Sequence, residues 1–334
     1  MRENNNLEKK PFTKLTPLLD FLEFSLENRE LVWDRPLFPL LVPQRLARKM
    51  EKNNPNCPIF LQFVPLIKEK ETIEGFSCEP VQDPIFRLAP KILQKYEGRS
   101  LLLTTKACAM HCRYCFRQNF SYETETIGFS KELDLLRKNH RMHEVILSGG
   151  DPLSLKNSSL IPLLKELDEI EHIQYIRFHT RTLISNPERL DDEFYNCLSL
   201  LQKKVVFVVH VNHPRELDED LKVCFAHLKK MGVELLSQTV LLKGINDDIA
   251  ILENLFFSLF NHGVLPYYLH QLDKVKGAAH FEVPVETGLD FIEELRGRLP
   301  GYLVPRYVQE IPHKRSKTPV ESIFTKSLHP LKGV

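Results

Sequence analysis

The chain has 334 residues, with 45 Lys and Arg against 44 Asp and Glu and a net charge of +1 at neutral pH. That length supports one large core with extensions, and the balanced charge argues against a nucleic-acid or membrane-surface binder, which carries a basic excess. No apolar run approaches the ~18 residues of a membrane span, the opening MRENNNLEKKPF lacks the apolar stretch of a secretion signal, and an odd number of cysteines, seven, fits a reducing cytoplasm better than a disulfide framework.

Residues 1–95 read as a mostly helical extension. Leu18, Leu19, Phe21, Leu22 and Phe24 give Leu15 to Glu27 helical spacing. Val42 to Met50 opens a second helix with Pro43 near its start, and Asn53-Asn54-Pro55-Asn56 ends it. The sole tryptophan, Trp33, reads as a packing anchor. Glu79 to Pro90 is Pro-rich and of mixed charge and reads as a connector.

From Arg99 the pattern changes. Strands are expected at Leu101–Thr105, Glu144–Leu147, Tyr175–His179, Val205–His210, Glu234–Thr239 and Leu265–Leu269. Helices are expected between them, at Lys131–Lys138, Ser158–Ile170, Glu188–Leu201, Glu219–Met231 and Asp248–Asn261. This alternation predicts an α/β fold with a parallel sheet. Six units are too few for a closed eight-fold barrel, so a partial (β/α)6 TIM-like barrel over residues 96–300 fits. Residues 301–334 read as a final strand, Tyr302–Val308, a basic loop, His313 to Lys317, and a tail.

In such folds ligands meet the C-terminal ends of the strands, and the polar motifs fall there. The first is Cys108-Ala109-Met110-His111-Cys112-Arg113-Tyr114-Cys115. Thiolates ligate iron–sulfur clusters, and three of them leave one iron of a four-iron cluster open to a small molecule. Zinc would want a fourth ligand, and His111 is wedged between the ligating positions. The second motif is Ser148-Gly149-Gly150-Asp151, whose glycines allow close backbone approach and whose carboxylate can accept from an ammonium. His179, Arg181, His210, Asn212, His213, Gln238 and His270 to Asp273 end or follow the later strands. In the basic tail, Lys314, Lys317 and Lys326 are indistinguishable by composition.

The C-x3-C-x2-C spacing with an aromatic at Tyr114 resembles the radical S-adenosylmethionine (SAM) enzymes. Cys108 to Arg117, Ser148 to Leu153, Arg177-Phe178-His179-Thr180-Arg181 and Pro266-Tyr267-Tyr268-Leu269 are similar, in that order, to the lysine 2,3-aminomutase family. The resemblance covers roughly residues 40–325. It implies an isomerase that converts L-lysine to β-lysine with three cofactors: a [4Fe-4S] cluster on Cys108, Cys112 and Cys115, SAM, and pyridoxal 5′-phosphate. Lys317, which precedes Thr318-Pro319 as the family's lysine precedes Thr-Pro, is thereby picked as the catalytic, cofactor-bearing lysine. Lys95, Tyr96 and Arg99 match phosphate-binding positions. Ser148, Gly149, Gly150 and Asp151 match the run holding the methionine end of SAM, and His210 and Gln238, with Arg177, Arg181 and His213, would line the cosubstrate or pocket.

Arg117 matches the arginine that grips the substrate carboxylate, as a guanidinium fork can. Asp273 matches a carboxylate for the distal ammonium, and Glu310 stands where the long forms have a second aspartate. The chain departs from the long forms in having His313-Lys314-Arg315-Ser316 in place of a glycine-rich loop and no cysteine in the tail. It resembles instead the short members that serve elongation factor P β-lysylation. The resemblance further implies a flavodoxin- or ferredoxin-type electron donor and a homo-oligomer. Other readings are a 2,3-aminomutase for another amino acid and a non-catalytic iron–sulfur or electron-transfer protein. Electron carriers of the latter kind ligate each cluster with four cysteines.

Overall fold

The computed structural model describes residues 10–122 and 128–323. Ten strands form one sheet in sequence order: β1 Arg87–Ala89, β2 Ile92–Tyr96, β3 Arg99–Thr105, β4 Glu144–Gly149, β5 Tyr175–Thr180, β6 Lys204–His210, β7 Glu234–Val240, β8 Leu265–His270, β9 Arg306–Gln309 and β10 Thr318–Pro319. Strands β3 to β9 are parallel throughout. The pairs β1/β2, β2/β3 and β9/β10 are antiparallel.

Six crossover helices join the parallel strands: Ser130–Lys138, Asn157–Asp168, Asp192–Leu200, Glu219–Lys230, Ile249–Asn261 and Val285–Arg298. Parallel neighbours joined by right-handed crossovers of one sense keep their helices on one face and curl the sheet the other way. The result is the partial (β/α)6 barrel expected, with β1/β2 and β10 as antiparallel edges. The helices read as amphipathic because they are. Asn157–Asp168 buries Leu160, Leu163, Leu164 and Leu167, and Phe178 of β5 stacks on Phe207 of β6 with centroids 4.5 Å apart. Asp191, Asp218 and Asp248 cap three of these helices through their side chains.

Four expectations need correction. The stretch Leu15 to Glu27 is not one helix: Leu15–Phe21 and Leu26–Arg29 are separate helices, because Glu23 turns left-handed at φ 57°. Lys95 and Tyr96 do not merely precede the first strand but end β2 of a β2–β3 hairpin. The segment from 302 to 308 is a 3-10 turn, Gly301–Leu303, followed by β9. The helices Pro58–Phe63 and Val285–Arg298 were not expected. Among the described residues no helix is long and apolar enough to cross a membrane.

Candidate active site

The thiol loop leaves β3 and is gripped from two sides. On one side stands the extension: His111 N donates to Leu41 O (3.0 Å) and Arg113 N to Gln62 O (2.9 Å). Arg113 is buried, forks onto Glu69 and donates from Nη1 to Phe38 O (2.8 Å). His111 points away from its neighbouring thiols, with Nδ1 2.8 Å from Pro39 O and its ring stacked on Phe38. On the other side Arg181 Nη1 donates to Cys112 Sγ (2.9 Å), while its Nη2 is fixed by Gln62 Oε1 (2.6 Å) and the fully buried Glu216 (2.7 Å). The Tyr114 hydroxyl joins this network, accepting from Arg181 Nη1 and from Asn212 Nδ2 (2.6 Å) and lying 3.4 Å from His210 Nε2.

Burial, reinforced by the neighbouring thiols, raises the pKa of Cys108, and it pushes that of Cys115 up to about 11. Three sulfurs on one short loop suit a polynuclear positive centre that stabilises thiolates. Among the described residues no set of three Cys, His, Asp or Glu side chains is arranged to hold a metal ion. A mononuclear site would need such convergence; a four-iron cluster spreads its ligands over several irons.

The Ser148–Asp151 run braces this loop. Gly150 N donates to Thr105 O (2.7 Å) and Asp151 N to Ala107 O (2.9 Å). Gly149 sits at φ 115° with the place of a Cβ 2.6 Å from Thr105 O, and a Cβ on Gly150 would overlap Ala107 O and lie 2.8 Å from Lys106 C. The glycines thus admit the backbone leading to Cys108. Asp151 is buried and already satisfied: its carboxylate accepts from Leu153 N (3.0 Å), Thr180 Oγ1 (2.8 Å), Arg181 N (2.7 Å) and Thr182 N (2.9 Å). It ties the end of β4 to the end of β5. Burial nonetheless raises its pKa.

A second cluster is a chain of alternating charges. Ser148 Oγ accepts from Arg117 Nη1 (3.2 Å), and Arg117 Nε pairs with Asp83 (2.8 Å). Asp83 pairs with Lys95 (2.8 Å), and Lys95 lies 3.6 Å from Glu310. Glu310 in turn accepts from the Tyr96 hydroxyl (2.7 Å) and pairs with Lys317 (3.0 Å). Burial raises the pKa of Glu310, but Lys317 and Lys95 reverse this and hold it below the ordinary value. Arg99 lies over the Tyr96 ring at 4.7 Å. The expected phosphate residues, the expected carboxylate-gripping arginine and the expected cofactor lysine are therefore connected, and Glu310 is occupied by Lys317. Lys326 lies outside the described residues.

Asp273 differs from Glu310. Its carboxylate makes no hydrogen bond to a described residue, and burial raises its pKa to about 7 against the pull of Lys317. Around it the barrel interior carries His179, His210 and His270. Burial depresses all three, His210 to about 3. His179 Nε2 and His270 Nε2 are buried without a partner among the described residues, which marks a space meant for polar atoms of a ligand. Gln238 stands on β7 beside His210 in register. Arg177 forks onto Glu144, and His213 caps the Pro214–Glu216 turn by accepting from Arg215 N (3.1 Å); both are braces of the scaffold.

The residues present fit the groups in question. Three thiols suit a cluster, and a lysine amine among Lys95, Arg99, Tyr96 and unpartnered imidazoles suits a phosphorylated aldehyde. Sequence reading missed Asp83 and Glu69, the buried carboxylates that hold Arg117 and Arg113. Neither stands in a motif, and only the Asp-Pro step at a turn marks Asp83.

A family profile described as a 4Fe-4S single cluster domain matches residues 96–220. The L-lysine 2,3-aminomutase of Haemophilus influenzae is 42% identical over 288 residues, covering 85% of each chain. That of Escherichia coli is 39% identical and covers 91% of this chain and 90% of its own. The glutamate 2,3-aminomutase of Clostridioides difficile is 36% identical, covering 79% of this chain and 63% of its own.

Proposed function

The chain belongs to the L-lysine 2,3-aminomutase family of radical SAM enzymes, and from that premise we propose that it shifts the 2-amino group of L-lysine to C3, giving β-lysine. Cys108, Cys112 and Cys115 would hold the cluster, and Lys317 the pyridoxal phosphate with Lys95, Tyr96 and Arg99 at its phosphate. When bound, the cluster with SAM would supply one-electron radical chemistry and pyridoxal phosphate a carrier for the amino nitrogen. The protein's part is positioning and exclusion of water. Arg117 orients the carboxylate end of the amino acid, Asp273 receives the distal ammonium, joined by Glu310 once Lys317 is engaged by the cofactor, and His179, His210 and His270, depressed by burial, stay neutral and add no competing positive charge. The reading extends to an external one-electron donor and to supply of β-lysine for elongation factor P.

The observation that carries the substrate choice is Asp273, a half-buried carboxylate with no cation of its own at hydrogen-bonding distance among the described residues. A cationic side chain completes that site, whereas the γ-carboxylate of glutamate would face two carboxylates there. Anaerobic turnover with reductant, SAM and pyridoxal phosphate tests this, with L-lysine, L-glutamate and L-arginine in parallel and products read by NMR. β-Lysine from lysine alone is expected; β-glutamate would overturn the substrate assignment.

Two further results are expected. Lys317→Ala should lose the visible absorbance of the lysine-bound cofactor, and an unchanged spectrum would move the attachment to another lysine. The second concerns pH. A carboxyl with its folded pKa raised from 3.8 to about 7 is neutral below about pH 7 and ionised above it. Its burial therefore costs stability as pH rises through that window. Ammonium binding needs the ionised form, so KM for lysine should rise as pH falls below about 7, by roughly tenfold per unit at the limit. In Asp273→Asn the KM should exceed the wild-type value above about pH 7, converge on it at lower pH, and that limb should flatten. A retained limb would assign the titration elsewhere.

A further inference from the structure

Asp83 is only 3% exposed, sits where Gln82 turns left-handed (φ 51°), and faces two cations from distant parts of the chain. Its Oδ1 meets Lys95 Nζ and its Oδ2 meets Arg117 Nε, both at 2.8 Å. Burial alone would raise its pKa, yet Arg117 and Lys95 hold it below the ordinary carboxylate value. Among the described residues the Arg117 side chain has one other polar partner, Ser148 Oγ, and Lys95 has Val81 O and the more distant Glu310. Among the described residues the carboxylate of Asp83 thus links the segment that follows the thiols to the β2–β3 hairpin. A guanidinium on a long, rotatable stem is a poor anchor until one edge is pinned.

We propose that Asp83 is a positioning residue of the aminomutase reaction: by pinning Arg117 and Lys95 to one carboxylate it sets the separation between the substrate-carboxylate subsite and the cofactor-phosphate subsite. The inference rests on the roles given above to Arg117 and Lys95. It does not place Asp83 in contact with substrate. The subsites must be held together because the migrating nitrogen joins amino acid to cofactor, so an error at either end displaces C3 from the radical source.

The competing explanation is that Asp83 only neutralises two buried cations for folding. Three proteins separate the readings, each reconstituted with iron and sulfide: wild type, Asp83→Asn, and Asp83→Glu. The readouts are iron content, circular dichroism, pyridoxal phosphate titration by visible absorbance, and kcat and KM for L-lysine. In Asp83→Asn, iron content and dichroism are expected to match wild type, while half-saturation by pyridoxal phosphate and KM for lysine each rise roughly tenfold, the effect of losing a charged hydrogen bond. Asp83→Glu keeps the negative charge but moves it by one methylene, so a purely neutralising Asp83 predicts that KM for lysine returns to the wild-type value. A positioning Asp83 predicts that it stays raised, since Arg117 and Lys95 are then held at a different separation. Restoration of KM in Asp83→Glu overturns the proposal, as do unchanged titration and KM in Asp83→Asn, or loss of iron and fold in Asp83→Asn with normal KM in Asp83→Glu. A wild-type protein that makes no β-lysine overturns the functional reading itself, before any variant is compared.

Discussion

Cys112→Ala is expected to abolish cluster loading and turnover together, leaving no β-lysine above background. Three thiolates are the fewest that can hold the cluster's protein-ligated irons while one iron stays open, so removing one takes away a third of the anchorage, and Cys112 is also the sulfur that Arg181 addresses (2.9 Å). The loop itself should persist, because its backbone is held by Leu41 and Gln62 and by the Arg113–Glu69 pair. Iron and sulfide analysis with electron paramagnetic resonance of the reduced protein checks this. A normal cluster signal in Cys112→Ala, with retained turnover, would remove Cys112 from the ligand set.

Gly150→Ala is expected to be nearly as damaging, for a reason that lies in backbone rather than ligand. The added methyl would overlap Ala107 O and approach Lys106 C at 2.8 Å. Relief requires moving either β4's end or the residues that lead into Cys108, at the cost of the Gly150–Thr105 and Asp151–Ala107 hydrogen bonds. Two such bonds and the overlap together cost roughly 3–5 kcal/mol. Iron retention and deoxyadenosine formation should both fall, whereas an alanine at exposed Gly301, which meets nothing within 4 Å, should be silent. Retention of full activity in Gly150→Ala would show that the two segments can part without consequence.

The barrel strands were legible because buried parallel strands read as short apolar runs, and in β6 Val205, Phe207, Val208 and Val209 lie buried as that pattern implies, with Val206 half-buried. The thiol loop was legible because three cysteines in eight residues have few other uses. Helix Val285–Arg298 was missed although Leu289, Ile292 and Leu295 carry the spacing. Gly288 and Gly297 interrupt it, and the first glycine is there because Tyr307 lies where its side chain would be. The β1–β2 hairpin was hidden in a Pro-rich stretch that looks like a connector. The two halves of the site's ionic wiring, Asp83 with Lys95 and Arg117, and Glu69 with Arg113, join residues 12 to 44 positions apart or lie across separate elements. No local pattern announces a pairing decided by the tertiary fold. Position at strand ends brought His179, His210 and Asp273 forward as candidates, and the resemblance added Glu310, but neither could tell braces such as Arg177 and His213 from residues left unsatisfied.

The double grip on the thiol loop makes distant parts of the chain partners of the site. Leu41, Gln62 and Glu69 hold one flank, and Thr105 and Ala107 meet the glycine run on the other. The extension thereby belongs to the site without supplying a ligand to it. A change at Gln62 or Glu69, far from the thiols in sequence, would reach them through the backbone of the loop.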